Sequence, residues 1–397
     1  MSTQVLRHAP AGGPLLTRPF KILGALAAVG VLLVLWRFAA GLGASTALND
    51  GYPWGLWITF DVVVGTALAT GGYAVAILVY VLNRGRYHPL VRPALLTSAL
   101  GYTLGGIGVM IDLGRFWNAV KLPVLFWQWN LHSVLLEVAL CIMLYTLVLW
   151  LELSPAFLEK WGAGPEGRLR NLSRRALPVV EKALPWLIAL GLLLPTMHQS
   201  SLGGLMLLAG PKLHPLWQTP LLPLLFLVSC LGMGYAAVVL ESSLSTLFFR
   251  RKAETSMLAT LAGPIRLALW LYVGVRVVDL LARGRLGLVF EDWHGLLFVT
   301  ELALFVAPAL LLGRRGRLDG PRLFRAAMLI VFGGALYRFS AFLIAFHPSA
   351  GWSYFPAVTE LMVTVGLVSG EIMAYIFIVK TFPILRGEAA APELKTS

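Results

Sequence analysis

Ionisable side chains occur where an aqueous protein would not place them. Asp61, Asp112, Glu137, Glu241, Arg266, Arg276, Asp279, Glu301, Arg338, Glu360 and Glu371, with His132 and His198, lie in or at the ends of long apolar runs. A charge at the centre of a bilayer costs about 2.5–3.5 kcal/mol even on insertion scales, so such residues usually mark function. Carboxyl groups in apolar surroundings exchange protons nearer neutrality than they do in water. That suits a reaction in which a lipid-soluble molecule gains electrons and protons together, as in quinone reduction.

The elements that must position these groups follow from composition. The chain has 397 residues, 58% hydrophobic and 13% charged, against about 45–50% and 25% in soluble domains. A soluble globule, a disordered chain and a coiled coil are excluded. The apolar runs are long and continuous, so the spans are helices and not the alternating strands of an outer-membrane barrel. Ten runs stand out, at about 20–44, 54–82, 90–112, 130–152, 180–198, 220–249, 258–281, 293–313, 322–346 and 356–382. The expected fold is an all-α integral membrane domain over 1–385, with a short cytoplasmic tail at 386–397. No removed signal peptide is expected.

Basic residues orient the spans. With the N-terminus inside, cytoplasmic connections carry most of the 32 Lys and Arg residues, including Arg84, Arg86, Arg92, Arg168, Arg170, Arg174, Arg175, Arg250, Arg251 and Lys252. The opposite side carries only Arg115, Lys121, Lys212, Arg283 and Arg285. This asymmetry predicts ten crossings of a bacterial inner membrane with both ends in the cytoplasm. The net charge of +13 then faces anionic lipid, not nucleic acid. The longest connection, about 153–179, reads as a polar cytoplasmic loop. Trp and Tyr at Tyr52, Trp54, Trp127, Trp129, Trp217, Trp352 and Tyr354 read as interface anchors.

Depth gives the acidic groups a common level. Asp61 is seven residues past Trp54, and Glu137 seven past Asn130, so each lies about 10 Å below the outer surface. Tyr102, Asp112 and the end of the fifth span at Thr196-Met197-His198-Gln199 reach the same level. Several assignments stay open. Asp112 either joins this cluster or caps its span and pairs with Arg115. Tyr102 either faces a ligand or packs in the core, and His132 suits an interfacial position. Glu241, Glu360 and Glu371 are steps of a proton relay or partners of Arg266 and Arg338. Arg276 and Asp279, at i and i+3, most simply form a salt bridge. Gly101 and Gly105 are spaced for close helix packing.

Cys141 and Cys230 lie in apolar runs with no CxxC spacing, so no iron–sulfur cluster, cysteine-held zinc or structural disulfide is expected. No metal ligand set stands out. A bis-histidine haem needs facing imidazoles on spans. Only His132 and His198 are candidates, both near one surface, so no haem is expected.

Several stretches carry a resemblance. They are Pro53-Trp54-Gly55-Leu56-Trp57-Ile58-Thr59-Phe60-Asp61, the run from Asn83 to Leu96, Gly101-Tyr102-Thr103-Leu104-Gly105-Gly106, Ser133-Val134-Leu135-Leu136-Glu137, Leu194-Pro195-Thr196-Met197-His198-Gln199-Ser200-Ser201, His214-Pro215-Leu216-Trp217-Gln218, and Tyr354-Phe355-Pro356 with Glu371. Taken in order, they make the chain resemble the NrfD/polysulfide-reductase-like family of quinone-interacting membrane subunits, in the form that serves respiratory nickel–iron hydrogenases. The resemblance implies two four-helix bundles, spans two to five and six to nine, flanked by spans one and ten. It implies a ferredoxin-like iron–sulfur subunit on the periplasmic face, linked to the hydrogenase large and small subunits. By motif, the family's quinone region maps onto Asp61, Tyr102, Glu137 and His198. Glu241 would lie on a proton route towards the cytoplasm.

The expected function is thus electron transfer from a periplasmic iron–sulfur partner to menaquinone or ubiquinone, with coupled proton uptake that could extend to proton translocation. Asp61, Glu137 and Glu241 are the expected proton carriers. Tyr102, Asp112, Glu137 and His198 are the expected quinone contacts. The chain would act as a subunit of a hydrogen:quinone oxidoreductase, without a hydrogen-splitting site of its own. The rivals are a related subunit serving another redox partner, such as a molybdoenzyme or an alternative quinol-oxidising complex, and a secondary transporter, which also uses membrane carboxylates.

Overall fold

The structure, a computed structural model, describes residues 8–252, 254–313 and 318–387. Arg7, Arg314, Arg315, Arg317, Lys395 and all but the first residues of the expected tail lie outside these.

Ten long helices dominate: α1 Arg18–Ala40, α2 Trp57–Val81, α3 Val91–Asp112, α4 Val134–Gly162, α5 Arg168–Ala209, α6 Leu222–Phe248, α7 Ala262–Ala282, α8 Trp293–Gly313, α9 Gly320–Phe339 with a wider-wound continuation to Ile344, and α10 Val358–Thr381. Among the described residues nine of them are long and apolar enough to cross a membrane. The helix outside that group is α7, which carries Arg266, Arg276 and Asp279. The chain is therefore a multi-pass, all-helical membrane protein, since only helices or closed barrels satisfy the backbone in hydrocarbon. A two-residue pairing of β1 His8–Ala9 with β2 Leu385–Arg386 ties the two ends together.

Local sequence explains the boundaries. Ser133 caps α4 by accepting from the Leu136 amide at 3.3 Å, and Asp319 caps α9 by accepting from Arg322 at 3.0 Å. Gly41, at φ 88°, ends α1 in a conformation that a side chain would resist. Helix α2 is irregular: it is wound wide over Trp57–Val64 and again over Ile77–Val81, and it breaks at Ala69–Thr70. Thr70 Oγ1 repairs that break by donating to carbonyls, Ala67 at 2.6 Å and Cys230 at 2.9 Å. Wide turns of this kind recur at functional sites.

The stretch 153–179 is not a loop. Helix α4 runs to Gly162 and α5 starts at Arg168, leaving five residues between them. At 1.5 Å per residue the 42 residues of α5 extend about 63 Å, roughly twice a hydrocarbon core. Its basic first half thus continues the helix beyond the apolar layer, which hydropathy alone cannot register.

Packing is sequential, with further contacts between distant helices, among them α6 with α9. Helices α2 and α3, α3 and α4, α4 and α5, α5 and α6, α6 and α7, α7 and α8, and α8 and α9 pack as neighbours. Helix α2 also lies against α6 and α9, and α1 pairs with α10, which contacts α3. One surface gathers the aromatic-rich connections, where Asn49 reaches Ser353 at 2.9 Å and His347 reaches Lys212 at 2.6 Å. The other gathers basic ones: Arg92 bonds Glu159, and Arg251 bonds the Arg386 carbonyl. These are called below the tryptophan face and the arginine face.

Candidate functional site

A cavity of about 1420 Å³ lies between α1, α3, α4 and α10 beneath the short helices at 116–124. Its wall is almost wholly apolar, with Tyr102, Asp112, Arg115 and Glu371 as its ionisable lining. Small residues bring α2 close against the back of α3. Gly101, Gly105 and Gly108 on α3 meet α2 so closely that a methyl group at 101 would sit 2.6 Å from Ala69 Cβ, one at 105 would sit 3.0 Å from Thr66 Cγ2, and one at 108 would sit 3.2 Å from Asp61 Cβ. The glycine spacing read from the sequence thus sets Asp61 directly behind Tyr102's helix.

Tyr102 is fully buried, with its ring 4.5 Å from Tyr145 and 5.5 Å from His198 between centroids. Its hydroxyl lies near the Gln199 amide but makes no hydrogen bond of ordinary geometry. His198 is also fully buried. Its Nε2 is 3.2 Å from Thr66 Oγ1, and the same oxygen accepts from Gln199 Nε2 at 3.2 Å. The Thr66 hydroxyl has one proton and two lone pairs, so it accepts from Gln199 and either donates to or accepts from His198 Nε2 according to the imidazole tautomer. His198 Nδ1, near the Val138 backbone, makes no hydrogen bond of ordinary geometry. Tyr102 and His198 therefore hold two buried polar atoms without such a bond. Such groups are rare and ask for an explanation.

Behind them stands Arg338. It is wholly buried and has no carboxylate partner among the described residues. It donates to the carbonyls of Val63 at 3.0 Å and Phe226 at 3.3 Å, to Ser229 at 3.2 Å and to Gln199 Oε1 at 3.2 Å. Gln199 thus connects α9 to the Thr66–His198 pair.

The carboxylates separate into kinds. Asp61 is buried; Oδ2 accepts from Thr364 at 3.0 Å and Oδ1 is unpaired. Asp112 is half-buried with an unpaired Oδ1. Its charged neighbour is Arg37 of α1, which donates to the Leu113 carbonyl at 2.6 Å; no ion pair with Arg115 forms among the described residues. Glu371 lines the cavity close enough to Asp61 for their charges to interact. One helical turn further, Tyr375 donates to Glu241 of α6. Thr364, Glu371 and Tyr375, at i, i+7 and i+11, share one face of α10. They form a ladder from Asp61 to Glu241 towards the arginine face.

Glu360 is structural: it accepts from the amides of Ala47 and Ala357, both at 2.9 Å, and from Tyr354 at 2.5 Å. Glu301 is likewise saturated, by Trp217 at 2.8 Å, Tyr272 at 2.6 Å and Arg276 at 3.1 Å. Arg276 therefore pairs with Glu301 and not with Asp279, which sits 3.6 Å from Arg283 and accepts from Thr219 at 2.9 Å. Glu137 is half-buried in the first turn of α4; it is not on the cavity wall, although Leu135, Val138 and Ala139 are. His132 is exposed on the tryptophan face. Thr66, Gln199, Thr364 and Tyr375 were not singled out from sequence, because uncharged polar residues in spans are common. Glu152 was missed because it fell at the span limit; it is half-buried against Gly191 inside α4.

A family model described as "Polysulphide reductase, NrfD" matches residues 44–347. The chain is 41% identical over 383 residues to the "Probable Ni/Fe-hydrogenase 2 b-type cytochrome subunit" of Escherichia coli strain K12, covering 95% of this chain and 94% of that one. It is 29% identical over 383 residues to the "Menaquinone reductase, integral membrane subunit" of Nitratidesulfovibrio vulgaris strain Hildenborough, covering 88% and 87%. It is 25% identical to a selenate reductase subunit of Mesobacillus selenatarsenatis, covering 71% and 68%.

The first of these relatives corrects the expectation of a haem-free chain, since a b-type cytochrome is by description a haem protein. The histidines described here do not supply a facing pair of imidazoles inside the spans. His198 stands alone beside Tyr102, and the histidines that do meet, His214, His294 and His347, stack or meet edge-on at the tryptophan face, with centroids 4.3 to 6.5 Å apart. No haem step is assigned to these residues. With the family match over residues 44–347 and the 41% identity across nearly the whole chain, the protein belongs to the NrfD/polysulphide reductase family of integral membrane proteins.

Proposed function

We propose that the chain is the membrane subunit of a respiratory nickel–iron hydrogenase complex and exchanges electrons with quinone in the α1–α3–α4–α10 cavity. One observation carries the reading: an apolar cavity of about 1420 Å³ lined by Tyr102, Asp112 and Glu371, behind which the buried Tyr102 hydroxyl and His198 Nδ1 lack hydrogen bonds of ordinary geometry. A quinone is a flat apolar ring with two carbonyl acceptors and an apolar tail. The printed names of the relatives, one a hydrogenase subunit and one a menaquinone reductase subunit, agree with that substrate class.

The tryptophan face is then periplasmic and the arginine face cytoplasmic, as the basic residues require, in a bacterial inner membrane. Helix α7 counts as a tenth crossing: Asp279 bonds Thr219 at the tryptophan face, while the helix begins just after Thr260, which accepts from Tyr87 at the arginine face. Helices α2–α5 and α6–α9 form the two bundles, flanked by α1 and α10. A ferredoxin-like iron–sulfur subunit docks on the periplasmic connections above the cavity and links to the hydrogenase large and small subunits.

In the reaction two electrons arrive through that partner and two protons join the quinone oxygens. Tyr102 orients one carbonyl; His198, fixed by Thr66 and Gln199, supports that end. Asp112 lines the other side of the ring. Asp61 and Glu371 hand protons to the oxygens, and Tyr375 with Glu241 refills them from the cytoplasmic side. Glu137, beside the wall residue Val138, gives a second access from the periplasmic side. Arg338 keeps a fixed positive charge near the site, which favours electron arrival. The test is hydrogen-driven reduction of a short-chain menaquinone by the purified complex, wild type against Asp61→Asn. Normal turnover in the variant would remove the acidic ladder from the mechanism. A second reading, service to another redox partner, is favoured by the selenate reductase relative; copurification of a molybdoenzyme in place of hydrogenase would establish it.

A further inference from the structure

Four potential metal ligands meet on the tryptophan face, outside the cavity lining. They come from three connections. His214 follows α5, Asp292 and His294 start α8, and His347 follows α9. Two of the connections are fixed to one another by backbone: the His214 amide donates to Ala345 at 2.8 Å, the His347 amide donates to Lys212 at 2.6 Å, and Leu213 pairs with Phe346. One donor atom from each of His214, Asp292 and His294 lies within 4.8 Å of the others.

The detailed geometry has a direction. Asp292 Oδ1 accepts from the His294 amide at 2.9 Å, and Oδ2 lies 2.7 Å from His294 Nδ1. A carboxylate on Nδ1 keeps the proton there and leaves Nε2 as a lone pair. This is how metal-binding histidines are oriented and made more basic. His347 Nε2 lies 3.3 Å from that lone pair. Two nitrogens each about 2.0 Å from a tetrahedral zinc ion are about 3.3 Å apart. His214 Nε2 is 3.8 Å from Asp292 Oδ2, and its ring stacks on His294 with centroids 4.3 Å apart. His294 is buried, His214 half-buried and His347 exposed, so an ion can reach the cluster from water.

We propose that His294 and His347 bind a divalent transition metal of the zinc class through their facing Nε2 atoms, with Asp292 positioning His294. Imidazole ligands select zinc, copper or nickel over calcium or magnesium. The ion would tie the connections before α8 and after α9 together. His214, whose Nδ1 accepts from the Leu216 amide at 3.3 Å and whose Nε2 faces Asp292, packs beside them 5.8 Å from Trp217 between ring centroids, and Trp217 bonds Glu301, so the clamp sits above the Arg276–Glu301 ion pair. The proposal does not rest on the quinone assignment.

The competing account is a single N–H···N hydrogen bond between His347 and His294, without metal. The experiment is titration of zinc, and of cobalt as a coloured probe, into the tag-free, EDTA-treated complex in mild detergent. The expected result is one saturable zinc site, and cobalt absorption of tetrahedral type. His347→Ala should abolish both while hydrogen-driven quinone reduction in EDTA stays at the wild-type rate, showing that the fold survives. Asp292→Asn should weaken zinc binding about tenfold, as loss of an orienting carboxylate does. Zinc binding that is absent in wild type, or unchanged in His347→Ala and in the His294→Ala/His347→Ala double variant, would overturn the proposal in favour of the hydrogen bond alone.

Discussion

The two halves of the molecule bury similar side chains and treat them oppositely. In α6–α9, Glu301 has both oxygens bonded, to Trp217, Tyr272 and Arg276. In α2–α5, Asp61 and Asp112 each leave an oxygen unpaired, as do the Tyr102 hydroxyl and His198 Nδ1. An unsatisfied buried polar atom costs about 1–3 kcal/mol, and four lie in or beside one cavity. The difference teaches where to look: a carboxyl group in a span marks a site where its own hydrogen bonds are incomplete. A carboxylate with both oxygens bonded, such as Glu301, specifies packing, even though Arg276 Nε beside it has no partner.

This contrast can be broken by substitution. The largest expected effects are on turnover in the first half. Asp61→Asn and Glu371→Gln should each lower hydrogen-driven quinone reduction about a hundredfold or more, the low end of what a positioned proton carrier contributes, with complex assembly on a native gel unchanged. Glu301→Ala should do the reverse. It strands Arg276 in the interior, which costs about 3–5 kcal/mol, so yield and thermal stability should fall while the surviving complex keeps its quinone KM. A wild-type melting curve would show that the pair is not structural. Next comes Tyr102→Phe, which removes one hydrogen bond worth about 1 kcal/mol; quinone KM should rise several-fold with little change in kcat. Glu137→Gln should have the smallest effect, a modest drop in turnover, because Glu137 stands beside the wall and not on it. A loss equal to that of Asp61→Asn would move the proton route to the periplasmic side.

The membrane character, the helical class and the family were legible in the sequence, since long apolar runs and the ordered motifs from Pro53 to Glu371 depend on composition and local order. Close packing at Gly101 and Gly105 was legible for the same reason. Partners were less so. Arg276 could be paired with Asp279 from i, i+3 spacing, yet it reaches across to Glu301, because the rotation of α7 against α8 decides which carboxylate it meets. Glu360 looked like a relay step and is a helix-start acceptor for backbone amides. The ladder through Thr364, Glu371 and Tyr375 needs two helices in register. The histidine cluster needs three connections brought together, two by backbone hydrogen bonds and the third by the Arg283 and Arg285 side chains. Neither is written in any local spacing. The α4–α5 extension was missed because its residues are polar, and hydropathy sees only the part of a helix that lies in lipid.

The central claim is that quinone occupies the first-half cavity at Tyr102. Its most direct test is photoaffinity labelling of the purified complex with an azido-quinone, followed by peptide mapping. The account predicts label on α3 near Tyr102 and on α10 near Glu371, reduced by excess menaquinone and weakened by Tyr102→Phe. Label confined to α6–α9, or indifferent to competing quinone, would contradict it.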